Sequence, residues 1–166
     1  MRRLSRRELL GTASLGGLAL FEAGCGLSGT APPFETTTQF GRTIRLSDFR
    51  GKPLLLTFWA TWCPYCRGQM AEMQKMSTGY SASSVALVAL SVDQNGWDVV
   101  RPYVTQNGIS FPVGLASRSI VRSYGASGGI PVTFAISPTG VLVGRQVGGL
   151  DQEWLQQMAA DAAGKA

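Results

Sequence analysis

Apolar positions follow two rhythms along this chain, and the rhythm separates strands from helices. Pro53–Trp59 is a short, nearly unbroken apolar run, and Val85–Val92 is a second. Runs of that kind mark strands covered on both faces. Pro64–Met76 has helical spacing instead, with Met70, Met73 and Met76 three apart. Trp97–Gln106 reads as a helix stopped by Asn107-Gly108, a C-cap pair. Phe111–Leu115 reads as a short strand, and Ser117–Tyr124 as a short helix ending at Gly125. Val132–Ile136 and Val141–Val147 flank the turn Ser137-Pro138-Thr139-Gly140 and so form a hairpin. Asp151 caps a last helix that carries Leu155, Met158 and Ala162 on one face. Upstream, Thr36–Phe40 and Thr43–Arg45 around Gly41 form another hairpin. The order ββ, βαβ, α, β, α, ββ, α belongs to the α/β class, a mixed central sheet with helices on both faces.

Composition narrows the chemistry. The 166 residues are 45% hydrophobic and only 15% charged, against a usual charged share of about 25%. That is too apolar for disorder and long enough for a buried core. The net charge of +5 is uneven: residues 1–24 hold four arginines and two glutamates, the rest eleven basic and eight acidic groups. So small a surplus is no nucleic-acid footprint. Histidine is absent altogether, which removes Ser–His and Cys–His catalytic pairs and every His-ligated metal site.

The N-terminus reads as an address. Arg2, Arg3, Arg6 and Arg7 precede the apolar, small-residue stretch Leu9–Phe21. Thirteen such residues suit a signal h-region and fall short of a spanning helix. Ser5-Arg6-Arg7-Glu8-Leu9-Leu10 resembles the twin-arginine export signal. Ala23-Gly24-Cys25 resembles the end of a bacterial lipobox, whose Cys is lipidated, although Glu22 stands where an aliphatic residue is usual. The expected division is a signal peptide over 1–24, a Gly/Ser/Pro-rich tether over 25–33 and one domain over 34–166. The alternative for Cys25 is a spare thiol after ordinary cleavage.

The chemistry concentrates in Phe58-Trp59-Ala60-Thr61-Trp62-Cys63-Pro64-Tyr65-Cys66, where a buried strand hands over to a helix. Cys63 falls at the N-cap and Pro64 at the first helical position, where its missing N–H costs nothing. Cys66, three residues on, shares the helical face and lies within disulfide reach. Unpaired backbone N–H groups and the helix dipole favour negative charge at Cys63. Cys63 is therefore the expected nucleophile and Cys66 the resolving thiol. A zinc site needs about four ligands, which two cysteines without histidine do not supply. A purely structural disulfide across so short a loop would add little stability.

Phe58–Cys66 resembles the thioredoxin superfamily active site. From Phe40 to about Ala162 the chain is similar to the exported TlpA/ResA/DsbE-like thiol-disulfide oxidoreductases. The resemblance is carried in order by Leu46-Ser47-Asp48-Phe49-Arg50-Gly51-Lys52-Pro53, Phe58–Cys66, Ser91-Val92-Asp93 and Ser110-Phe111-Pro112-Val113. Tyr124-Gly125, Gly129-Ile130-Pro131-Val132-Thr133-Phe134 and Ser137-Pro138-Thr139-Gly140 complete it. It implies a thioredoxin fold with an N-terminal β-hairpin and an αβ segment inserted before the third helix. It implies that Pro131 is a cis-proline opposite the C-x-x-C, with the Ile130 backbone turned to a bound chain. Trp62, Pro64 and Tyr65 would then flank Cys63 as substrate contacts, while Trp59 is better placed for core packing.

Two positions depart from the family. Thioredoxins carry a buried Asp where this chain has Thr57, and ResA-like proteins often carry a Glu where it has Gln69. Neither side chain accepts a proton from Cys66. Glu72 and Asp93 are the acids placed to approach, and the plainer reading of each is a solvated surface acid.

The resemblance implies an extracytoplasmic oxidoreductase acting on disulfides of exported proteins; the lipobox-like Cys25 adds a lipid anchor, and no cofactor or metal is expected. Cytochrome c maturation, with apocytochrome as substrate, is the usual family role. A membrane electron donor of the CcdA/DsbD type would re-reduce the pair. An oxidase of exported proteins is the alternative in the same chemistry. A copper chaperone on the same fold would use C-x-x-x-C and a distant His, and a peroxiredoxin a lone Cys after Pro-x-x-x-Thr; neither pattern is present.

Overall fold

A computed structural model describes residues 29–79 and 84–164. The signal-like stretch 1–24 and Cys25 lie outside the described residues. An antiparallel hairpin comes first, β1 (Glu35–Thr37) and β2 (Thr43–Arg45), with Gly41 supplying the positive φ of its turn. There follow β3 (Leu54–Trp59), α1 (Pro64–Thr78), β4 (Ala86–Ser91), α2 (Trp97–Gln106), β5 (Val113–Leu115) and α3 (Arg118–Ser123). The hairpin β6 (Val132–Ile136) and β7 (Leu142–Val147) and the final α4 (Gln152–Ala162) close the chain. Five strands form one sheet in the order β5-β4-β3-β6-β7; β3, β4 and β5 are parallel, β6 and β7 antiparallel. This is the expected mixed sheet, and α2 with β5 is the inserted αβ segment.

The unbroken apolar runs are explained by burial on both sides. Successive strand residues point to opposite faces. Leu55 and Trp59 of β3 therefore join one core with Met70, Met73 and Met76 of α1, Val100 and Val104 of α2, and Leu155 and Met158 of α4. Leu54, Leu56 and Phe58 join a second core with Ile120 of α3, Tyr124, Phe134 and the N-terminal Phe34. Asp151 caps α4 through the Trp154 N–H at 3.0 Å.

The domain begins earlier than the expected boundary at residue 34. Thr30 bridges Val141, Ala31 N–H donates to Gly140 O at 2.9 Å, and Leu142 N–H donates to Gly29 O at 2.9 Å. Ala31 is buried and the Tyr124 hydroxyl donates to Pro32 O at 2.6 Å. Gly29–Pro33 thus belong to the fold, although their composition reads as a tether. Their docking uses backbone groups, which leave no side-chain pattern.

The first hairpin lies against β5. Gln39 brackets that strand through Val113 N–H and Phe111 O, each at 2.8 Å. Thr36 Oγ1 donates to Leu115 O at 3.0 Å and accepts Leu115 N–H at 3.2 Å. Gly114 makes room for that hydroxyl, since a Cβ there would collide with the Thr36 side chain. Gly114→Ala is expected to destabilise the fold by about 1–3 kcal/mol, as overpacking does. Urea midpoints of the two proteins check it.

Candidate active site

The end of β3 delivers the dithiol. Cys63 has extended backbone (φ −87°, ψ 116°) and caps α1; its Sγ accepts the Cys66 N–H at 3.3 Å, and Pro64 is the first helical residue. Both thiols are free; Cys63 is 4% exposed and Cys66 fully covered. β6 brings up the opposite wall. Its register pairs Phe58 with Val132, which sets Pro131 beside the C-terminal end of β3. The Ile130–Pro131 peptide is cis, and Cys63 Sγ lies 3.7 Å from Ile130 O, to which it donates. Gly148 N–H holds Pro131 O at 2.8 Å.

Burial pushes the Cys66 thiol up to about 12. A hydrogen bond with Cys63 and the charges of Cys63 and Asp93 add to the rise, and the Ala60 backbone partly offsets it. Cys66 therefore stays protonated at neutral pH. In a Cys63→Ser variant, Cys66 alkylation by iodoacetamide should keep accelerating with pH past 9. A plateau near the ordinary thiol range of about 8.5 would overturn this.

Asp93 lies two residues past the end of β4 and is tied down. Its carboxylate accepts from Thr61 N–H at 2.9 Å, Thr61 Oγ1 at 2.7 Å and Ser91 Oγ at 2.7 Å. It fixes the turn that carries Trp62 and Cys63, and its charge reaches Cys66. Glu72 is not brought to the pair: it bonds Lys75 at 2.7 Å on the flank of α1. Among the described residues no cluster of three or more Cys, Asp or Glu could hold a metal.

A model of the AhpC/TSA family matches residues 27–145. The chain belongs to the AhpC/TSA family. Within it, a thiol-disulfide oxidoreductase ResA of Bacillus thuringiensis (strain Al Hakam) is 34% identical over 128 residues, 76% of this chain and 72% of that one. A ResA of Oceanobacillus iheyensis is 33% identical over 121 residues, 73% of this chain and 62% of that one. Among solved structures, a putative thiol:disulfide interchange protein DsbE of Chlorobium tepidum superposes with a TM-score of 0.73 at 30% identity, covering 81% of this chain and 96% of that chain. A second thioredoxin family protein of Chlorobium tepidum gives a TM-score of 0.74 at 26% identity, with the same coverage. The fold is thioredoxin-like and the protein is a thiol-disulfide oxidoreductase.

In this AhpC/TSA domain the two departures from the resemblance meet. Thr57 of β3 faces Thr133 of β6, with hydroxyl oxygens 2.9 Å apart. Gln69 of α1 donates to Thr133 Oγ1 at 2.6 Å and to Thr57 Oγ1 at 3.3 Å, and its Oε1 accepts Leu150 N–H at 3.3 Å. All three side chains are buried. A neutral hub thus stands where the resemblance led to the expectation of acids. Thr133 went unnoticed in sequence, though it is the polar residue in an otherwise apolar strand, as Thr57 is in β3.

The aromatics divide cleanly. Trp59 is fully buried and packs on Tyr103 of the inserted α2, ring centroids 5.1 Å apart. Trp62 is 64% exposed and Tyr65 75% exposed, on either side of Cys63, and Pro64 between them is exposed as well.

Proposed function

We propose that this domain reduces disulfides of exported proteins on the extracytoplasmic face of the membrane, anchored through Cys25 after removal of residues 1–24. The observation that carries the chemistry is the capped dithiol facing the Ile130 carbonyl. Cys63 attacks one sulfur of the substrate disulfide as a thiolate, forms a mixed disulfide and expels the other sulfur as a thiolate. Cys66 then loses its proton and attacks Cys63, closing the Cys63–Cys66 disulfide and releasing the second substrate thiol. Two electrons pass from the pair to the substrate. A membrane donor of the CcdA/DsbD type returns them.

Trp62, Pro64 and Tyr65 offer a bound polypeptide apolar contact, and Ile130 offers main-chain pairing. A recess of about 470 Å³ beside Trp62, lined by Thr61, Val92, Asp93, Asn95 and Val99, leaves room for a substrate side chain. The family resemblance and the export-like N-terminus favour apocytochrome c as substrate, whose paired thiols must be reduced before haem attaches. Asp93 is the acid positioned to influence the Cys66 proton. A change in the pH–rate profile is expected for Asp93→Asn and none for Glu72→Gln.

The reduction potential of the pair tests the direction, by equilibration with thiol buffers of known poise. A value near about −250 mV or lower makes it a reductant. A value near about −120 mV would reverse the electron flow and make it an oxidase.

A further inference from the structure

The dithiol and the entering chain sit at opposite ends of the sheet. β3 runs from Leu54 to Trp59 and delivers Cys63 at its far end. β6 runs back, pairing Val132 with Phe58 and Ile136 with Leu54. The β6–β7 turn, Ser137–Gly140, therefore lies at the near end, and Gly29–Ala31 is bound to that turn through Gly140 and Leu142. Six strand residues at about 3.3 Å each separate the two poles by roughly 20 Å.

The near pole is exposed and carries basic side chains. Arg50 donates to Thr139 O, and Gly51 N–H donates to Pro138 O, so the Arg50–Lys52 loop wraps the same turn. Arg50, Lys52 and Thr139 are exposed, and α1 brings exposed Lys75 to this end in its last turn. Against them stand Glu72, which pairs with Lys75 at 2.7 Å, exposed Asp48 just before Arg50, and Asp161 in the last turn of α4, half-buried and accepting from Gln157.

We propose that this pole rests on the lipid surface, with the dithiol facing away from the bilayer. The inference rests on the anchoring reading of Cys25. Three residues separate Cys25 from Gly29, a reach of about 14 Å when fully extended. So short a link holds Gly29, Thr139 and Lys52 at the headgroups. Partner thiols must then stand roughly 20 Å off the membrane to meet Cys63.

The chain carries its own reporters. All four tryptophans belong to the dithiol half: Trp59 ends β3, Trp62 precedes Cys63, Trp97 opens α2 and Trp154 lies in the first turn of α4. The experiment uses the full processed chain, isolated from membranes, in vesicles of phosphatidylglycerol and phosphatidylethanolamine containing headgroup spin-labelled phospholipid. The native tryptophan emission is expected to stay unquenched, while the emission added by Thr139→Trp loses at least half its intensity. Quenched native tryptophans, or an unquenched Thr139→Trp, would overturn the orientation while leaving the anchor intact. A chain without lipid mass on Cys25 that fails to stay with the vesicles would overturn the anchor, and the orientation with it.

Discussion

Cys63→Ser is expected to reduce disulfide exchange to the uncatalysed rate, and Cys66→Ser to halt it one step later with the partner still attached. The difference follows from position. Cys63 is the outer thiol of the pair: its Sγ accepts the Cys66 N–H at the start of α1 and lies 3.7 Å from Ile130 O. Serine at that position offers no nucleophile of comparable strength at neutral pH. Cys66 lies deeper, fully covered, and held as a thiol by burial. Replacing it leaves the first attack intact and removes the group that ends the mixed disulfide. Intact-mass measurement after mixing with a disulfide-bonded peptide reads both outcomes. An adduct on Cys63→Ser and none on Cys66→Ser would reverse the two roles.

Gln69→Leu is expected to cost about 3 kcal/mol of stability. The substitution preserves bulk, leaves Leu150 N–H without a partner, and leaves the Thr57 and Thr133 hydroxyls only each other, so that one of the two hydrogens has no acceptor. Each buried group left without a partner costs about 1–3 kcal/mol. The damage extends to the site, because the loop that ends at Leu150 also holds Pro131 O through Gly148. Gln69→Glu has a different signature. A carboxyl there is raised in the folded protein by burial, so its stability is full below the ordinary carboxyl value of about 4.3 and is lost as pH rises through the folded value. Urea midpoints at acid and neutral pH separate the two variants. A Gln69→Leu protein as stable as wild type would show that the hub holds nothing.

The elements were legible because each has a local cause. β3 and β4 were visible as apolar runs, α4 through its Asp151 cap, and the dithiol through the coincidence of C-x-x-C with a strand-to-helix junction. The hub was not legible, because membership is decided by sheet register. Thr57 and Thr133 are 76 residues apart and meet only when β3 pairs with β6. The docking of Gly29–Pro33 was hidden for another reason. It is made by backbone groups and one tyrosine hydroxyl, and glycine and proline carry the same meaning in a spacer as in such a strap. Asp93 was visible as the acid ending a strand, but its grip on Thr61 depends on β3 and β4 ending side by side, Trp59 against Ser91.

The separation of β3 from β6 along the chain also orders events during folding. The thiols belong to the first half of the sequence, and the Ile130 carbonyl that faces them belongs to the second. Pairing across so long a loop is entropically late. A chain that has formed β3, α1 and β4 but not β6 holds a reactive dithiol with no wall opposite it. Selectivity for a partner is therefore acquired only when folding is complete, and until then the same two sulfurs are open to any disulfide they meet.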